Sequence, residues 1–175
     1  MKLYHLPTGL LHVNSYFVVN DDGDAVVIDC GENYKKVKQT EEAYGFKIKA
    51  VLLTHAHFDH SGIAKRLQDE GAKIYISETD APKLRNDLNL ASNFGRKFEF
   101  LTADVTFNDG DVLDILGLKF KVIATPGHTD GSVCFMMDNA LFILKRREAK
   151  DITVWLEYRE RNEAQGNAGY HGISE

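Results

Sequence analysis

The sequence predicts an α/β fold, and three observations carry the prediction. Runs rich in β-branched and aromatic residues recur along the first 144 residues. Segments with helical spacing alternate with them through the first half. Gly, Asn, Asp and Pro punctuate the junctions. At 175 residues the chain is long enough for one domain with a core, or for a domain plus a tail.

The elements follow in order. The N-terminal segments around His5 and His12 are strand-like, and both histidines read as surface or partly buried residues. HVNSYFVV (12–19) and DAVVIDC (24–30) flank the turn DDG, which predicts a hairpin. NYKKVKQTEEAYG (33–45) reads as a helix with Asn33 as cap, Val37 and Tyr44 on one side and Gly45 as stop. KIKAVLLTH predicts a strand buried on both faces. HSGIAKRLQDEG (60–71) predicts one helix, with Ile63, Ala64 and Leu67 inward and Gly71 as its end. KIYIS (73–77) is a strand, and ETDAPKLRNDL a short helix that tolerates Pro82 in its first turn. Residues 89–104 lack a clean period and read mostly as loop. From 105 to 144, short strands are separated by NDGD, LGL, PGHTDG and MDNA.

The character changes after Leu144. Residues 145–175 carry six Lys and Arg against six Asp and Glu, with little apolar periodicity. The expected division is therefore a domain over 1–144 and a divergent polar tail over 145–175. A polar helix is available from Arg146 to Ala164, and GNAGYHGISE reads as a disordered terminus.

Composition excludes some partners. Hydrophobic residues make up 43% and charged residues 27%, and the net charge is −5. That balance gives no electrostatic reason to bind nucleic acid or an anionic membrane. The start MKLYHLPTGL has no signal-peptide pattern, and no apolar run approaches the ~18 residues of a membrane span. Cys30 and Cys134 lie far apart in apolar runs and read as buried thiols. These features together predict a cytoplasmic protein.

The chemistry is concentrated in THAHFDHSG (54–62). His55, His57, Asp59 and His60 follow a buried strand, where α/β proteins place their chemistry. Imidazole and carboxylate suit zinc and similar ions, and a catalytic site keeps a coordination position for water. Four polar residues could merely cap a strand-to-helix turn, but His-x-His-x-Asp-His at a strand mouth favours metal binding. His128, in TPGHTDGS, is the natural third ligand of a first ion with His55 and His57. Thr54, Asp29 and Thr129 are candidate partners that would orient ligands. Asp29 reads equally well as an ordinary strand-end turn residue.

With these residues the chain resembles the metallo-β-lactamase superfamily. TPGHTDGSVCF is most similar to the glyoxalase II (hydroxyacylglutathione hydrolase) type, and VIDCG stands at its IDPG-like turn. The resemblance runs from about residue 3 to about residue 142. It implies a four-layer αββα sandwich with His55, His57 and His128 on one metal and Asp59 and His60 on a second. Zinc is the implied ion, one or two per chain, with iron or manganese as alternatives. The implied reaction is attack on a small-molecule ester or thioester by a metal-activated hydroxide, with Asp59 placing the water and taking its proton. Ser61 and Ser132 read as turn and helix-start residues.

The chain departs from the pattern after His128. The family's bridging aspartate falls at about Lys145, whose ammonium would repel two cations. The last metal histidine has only His171 as a counterpart. The second half of the sandwich is expected to be incomplete, leaving an edge and an apolar face uncovered. The tail is then a truncated or frame-shifted remnant, or a divergent natural ending. Two functions follow: a metal-dependent hydrolase, or a metal-binding remnant without turnover. The acidic balance argues against a nuclease, and β-lactam hydrolysis is weaker still without an export signal. Substrate identity and oligomeric state are not legible in the sequence.

Overall fold

A computed structural model describes residues 1–9, 11, 13–137, 140–142 and 170–172. In chain order the strands and helices are β1 (Lys2–Thr8), β2 (Val13–Val19), β3 (Asp24–Ile28), α1 (Tyr34–Tyr44), β4 (Lys47–Leu52), α2 (Phe58–Ser61), α3 (Ala64–Asp69), β5 (Lys73–Ser77), β6 (Val105–Phe107), β7 (Val112–Ile115), β8 (Leu118–Ala124), β9 (Val133–Met137), β10 (Ala140–Phe142) and β11 (Tyr170–Gly172).

The strands form two sheets. The larger has the order β11-β1-β2-β3-β4-β5-β6, and the smaller β10-β9-β8-β7. β1, β2 and β3 pair antiparallel, the second pair through the turn at Asp21–Gly23. β3, β4, β5 and β6 run parallel, so the chain must cross over the sheet between them. Helix α1 makes the first crossover. Asn33 accepts from the Lys36 N–H at 3.0 Å at its start, and Gly45 ends it at φ 67°.

Alternation along β2, β3 and β4 sorts side chains onto the two faces of the large sheet. Phe17, Val27 and Val51 face one core with Val37, Ala64 and Leu67 of the helices. Val18, Val26 and Leu52 face a second core with Phe120, Val122 and Phe135 of the small sheet. The result among the described residues is a helix layer, a large sheet and a small sheet. Each fully buried Phe or Leu in these cores is worth about 1.5–3 kcal/mol. The edge-on contact of Phe107 with Phe135, centroids 5.6 Å apart, helps to lock sheet to sheet. Those are three layers of the expected αββα sandwich; Lys145 and the polar helix expected over 146–164 lie outside the described residues.

Four expectations are revised. Residues 60–71 form no single helix. The His60 carbonyl is taken by the N–H groups of Cys30 (2.9 Å) and Gly31 (3.1 Å), so the helix ends after one turn and restarts at Ala64. ETDAPKLRNDL forms two 3₁₀ turns, Ala81–Arg85 and Asp87–Asn89. The terminus expected to be disordered contributes Tyr170–Gly172, which pair in parallel with Leu3–His5. The outer face of β7 and β8 is mixed rather than apolar. Lys119, Lys121 and Asp114 are exposed there beside Val112 (61% exposed), because β8 alternates lysine with Phe120 and Val122.

Cys30 and Cys134 are both buried free thiols. Among the described residues no helix is long and apolar enough to cross a membrane.

Candidate metal centre

Three segments meet at one end of the two sheets. The first leaves β4 and runs through Thr54 to α2, carrying His55, His57, Asp59 and His60. The second is the turn between β8 and β9, carrying His128. The Val133 N–H donates to the Thr54 carbonyl at 3.0 Å and fastens the start of β9 to the first segment. The third is the β3 end, where Asp29 adopts φ 54°, an uncommon conformation for a residue with a Cβ.

The fold brings the ring nitrogens of His55, His57 and His128 to within 4.8 Å of one another. Ring centroids are 4.6 Å apart for His55 and His57, 4.8 Å for His55 and His128, and 4.6 Å for His57 and His128. His57 Nδ1 and His128 Nε2 are 2.9 Å apart. Two nitrogens on one tetrahedral zinc at ~2.05 Å would be roughly 3.3 Å apart, close to the separation of this pair. His55 and His57 are buried and His128 is exposed, which leaves one open side.

Hydrogen bonds select the free nitrogen of His55. The Thr54 hydroxyl gives its only proton to Asp29 Oδ2 at 2.7 Å, and it lies 3.1 Å from His55 Nδ1. It can therefore only accept from that nitrogen, which places the ring proton on Nδ1 and the lone pair on Nε2. His55 Nε2 is buried and has no hydrogen-bond partner. A buried polar atom left unpaired costs about 1–3 kcal/mol, so this lone pair calls for a ligand. The donor set and the orphaned nitrogen together fit a divalent transition ion.

His60 faces differently. Its Nδ1 is 2.7 Å from Asp29 Oδ2, and its Nε2 is 3.6 Å from Asp59 Oδ2. Asp29 thus orients His60 directly and His55 through Thr54, and it also accepts the Thr54 N–H at 2.9 Å. Of its two sequence readings, the ligand-orienting one has these contacts. The Thr129 hydroxyl donates to Asp80 at 2.9 Å. His5 is half-buried beside Asn14, at 2.8 Å, away from the cluster. The backbone of His171 lies in β11, four strand steps from β4, or roughly 19 Å. His12 lies outside the described residues.

The electrostatics sort the histidines. Burial holds His55 well below the usual imidazole range, and neighbouring His60, His57 and His128 add to the effect. Burial, then His128 and His60, lower His57 to about 4. Burial also pulls on His60, but the charge and hydrogen bond of Asp29, with Asp59 behind them, outweigh it and hold His60 above the usual value. Near neutral pH His55 and His57 are therefore neutral ligands.

Sequence reasoning missed Asp80 and Lys83. Asp80 is fully buried and accepts from Ala56 N and from Gly131 N, at 3.0 and 3.1 Å. Lys83 Nζ sits 2.6 Å from Asp80 and 3.2 Å from Asp130. An acid two residues before a proline reads as an ordinary turn, and nothing local marks these long-range contacts.

Comparison with known proteins gives a consistent family. The family profile described as Metallo-beta-lactamase superfamily matches residues 8–140. The chain is 30% identical over 140 residues to the hydroxyacylglutathione hydrolase GloC of Haemophilus influenzae, covering 78% of this chain and 66% of that protein. Among solved structures it is similar to BLEG-1, a B3 metallo-beta-lactamase, with a TM-score of 0.74 and 30% identity over 79% of this chain and 69% of that one. It is also similar to TTHA1623 in a di-iron-bound form, with a TM-score of 0.65 and 30% identity over 76% and 66% of the two chains. The chain spans 69% of the length of the probable metallo-hydrolase YqgX of Bacillus subtilis and 47% of a hydroxyacylglutathione hydrolase of Hydrogenovibrio crunogenus, two of the curated relatives it matches.

Proposed function

The chain belongs to the metallo-beta-lactamase superfamily, and from that premise we propose that it is a metal-dependent hydrolase of a small-molecule thioester or ester. The observation that carries the reading is the convergence of His55, His57 and His128 around the unpartnered, buried Nε2 of His55. These three residues would hold a first ion, zinc or iron. Asp59 and His60 would contribute to a second. A divalent ion held there would bring the pKa of a water toward neutrality and polarise a carbonyl.

The chain's own groups supply the rest. Asp59, half-buried beside His60, is a carboxylate able to orient a water and take its proton. Asp29 and Thr54 fix two imidazoles so that the lone pairs do not wander. His128 is exposed, so a substrate would approach the cluster from that side. Among the described residues, neither Ser61 nor Cys30 is available as a nucleophile. Ser61 Oγ donates to the carbonyls of Ala56 and His57, and burial pushes the Cys30 thiol up while it lies against the His60 carbonyl.

The thioester preference draws on the hydroxyacylglutathione hydrolase relative. The test is hydrolysis of a lactoyl thioester by the purified chain, before chelation, after it, and after return of zinc, iron or manganese. Expected is a rate that vanishes with the chelator and returns with an ion. A β-lactam assayed in parallel should turn over far more slowly. A second reading, metal binding without turnover, has its own support: only Asp59 and His60 among the described residues stand ready for a second ion. A metal-loaded chain inert toward both substrates would select it.

A further inference from the structure

The first ion would need ligands from two separate segments, and His128 sits on an exposed turn. The question is what fixes that turn relative to His55 and His57. Within the turn, Gly127 N donates to the Thr129 carbonyl and Thr129 N to Ser132 Oγ, which shape it but do not tether it. Its tethers run to Asp80 and Ser77, with a further one from Lys83 to the exposed Asp130.

We propose that Asp80 is the positioning residue of the first metal site, coupling the backbone between His55 and His57 to the turn that carries His128. This rests on the reading of those histidines as metal ligands. One oxygen of Asp80, Oδ2, accepts from Ala56 N at 3.0 Å and from the Thr129 hydroxyl at 2.9 Å. Ala56 lies between His55 and His57, and Thr129 follows His128. Two hydrogen bonds through one atom therefore join the ligand-bearing segments. The other oxygen, Oδ1, accepts from Gly131 N at 3.1 Å and from Lys83 Nζ at 2.6 Å. Ser77 Oγ donates to the Gly131 carbonyl at 2.7 Å and closes the clamp.

The chemistry requires a carboxylate. Asp80 is fully buried, and an isolated charge there would be costly. Four donors surround two oxygens, and an ionised carboxylate only accepts. Asparagine would aim an NH₂ at two of those donors, whichever way it is turned. The clamp is also tight: a Cβ on Gly131 would lie 2.5 Å from Asp80 Oδ1 and 2.6 Å from Ser77 Oγ. Partners of this kind typically change metal affinity 10–100-fold when removed.

The test compares the wild-type chain with D80N, T129V and D104N. Asp104 is a useful control because it accepts from Ile74 N at 2.8 Å and from Gln68, and has no bond to the histidine segments. Zinc affinity is measured by competition with a chromophoric chelator. Cobalt-loaded protein is read by its visible absorption, and the folding of metal-free protein by circular dichroism. Expected are a loss of at least about 10-fold in zinc affinity for D80N, a smaller loss for T129V, and a weakened cobalt band in both. D104N should lower the melting temperature but leave affinity and spectrum unchanged. Should D80N fail to fold, T129V decides, because it cuts the Asp80 tie to the histidine turn and otherwise loses only a bond to Ser132 within that turn. Wild-type affinity and spectrum in T129V, or in a folded D80N, would overturn the proposal. A wild-type chain that binds zinc but hydrolyses nothing would sink the hydrolase reading and leave this one standing.

Discussion

His60 Nδ1 lies 2.7 Å from Asp29 Oδ2, and the same carboxylate takes the hydroxyl proton of Thr54. One buried acid thus governs two histidines, one directly and one through a hydroxyl. D29N can keep only part of this set, because its NH₂ would face a donor. The expected outcome is a 10–100-fold loss of metal affinity, largest for whichever ion uses His60. Isothermal titration with zinc checks it, and affinity within 2-fold of wild type would refute the relay.

T54V isolates the indirect arm. Valine has the shape of threonine but cannot bridge Asp29 to His55 Nδ1, so His55 loses the partner that keeps its lone pair on Nε2. Zinc should bind about 10-fold more weakly while the Asp29–His60 contact persists. The spectrum of cobalt-loaded protein should change in T54V even at saturation. An unchanged spectrum would mean that burial alone fixes the ring.

How much of this was legible in the sequence depends on the range of each interaction. The helix from Tyr34 to Tyr44 was readable because Asn33 and Gly45 are local signals with local causes. The β strands were readable because β-branched runs pack on a pleated face, and both faces of β4 are indeed covered at Val51 and Leu52. The break after Ser61 was not. It follows from Cys30 and Gly31 capturing the His60 carbonyl across thirty residues of chain. The cluster at 55–60 announces itself by spacing. The approach of His57 to His128 depends on β8–β9 pairing and on the Val133–Thr54 bond, which no local pattern encodes. Asp80 was invisible for the same reason: its partners lie 24 and 51 positions away in the chain.

Gly31 should be intolerant of any side chain. It adopts φ 69°, and a Cβ there would stand 2.0 Å from Thr8 Oγ1 and 2.8 Å from Thr8 Cβ. Its N–H also holds the His60 carbonyl, and its own carbonyl accepts from Ile63 N at 3.1 Å. Gly31→Ala therefore combines backbone strain with overpacking and should destabilise the chain by about 2–4 kcal/mol. Urea denaturation measures this directly. A cost below about 1 kcal/mol would show that β1 can yield.

The metal-free protein should lose stability as pH falls from about 6.5 to about 4. His57 is lowered to about 4 and His55 well below its usual value. In that window the unfolded chain takes up protons that the folded chain refuses, so unfolding is favoured as pH falls. His60 has the opposite shift. Its contribution is fully present below 6.5 and is lost only as pH rises through its folded value, so it does not mask the trend. Thermal melts of chelated protein at pH 4.5, 5.5 and 6.5 should show rising midpoints. A flat series would mean that the buried imidazoles are relieved by local opening.

Removing and returning metal should reveal unequal sites. An ion that binds only the folded chain stabilises it by about 2.7 kcal/mol at a free concentration 100 times its Kd. For a chain of this size that is a rise of about 5–10 °C in melting temperature. Three convergent imidazoles should dominate over the Asp59–His60 pair, so the first equivalent of zinc should give most of the shift. Melting curves of chelated protein with zero, one and two equivalents, alongside the metal content after dialysis, check this. Two ions retained with equal tenacity would mean that ligands beyond Asp59 and His60 complete the second site.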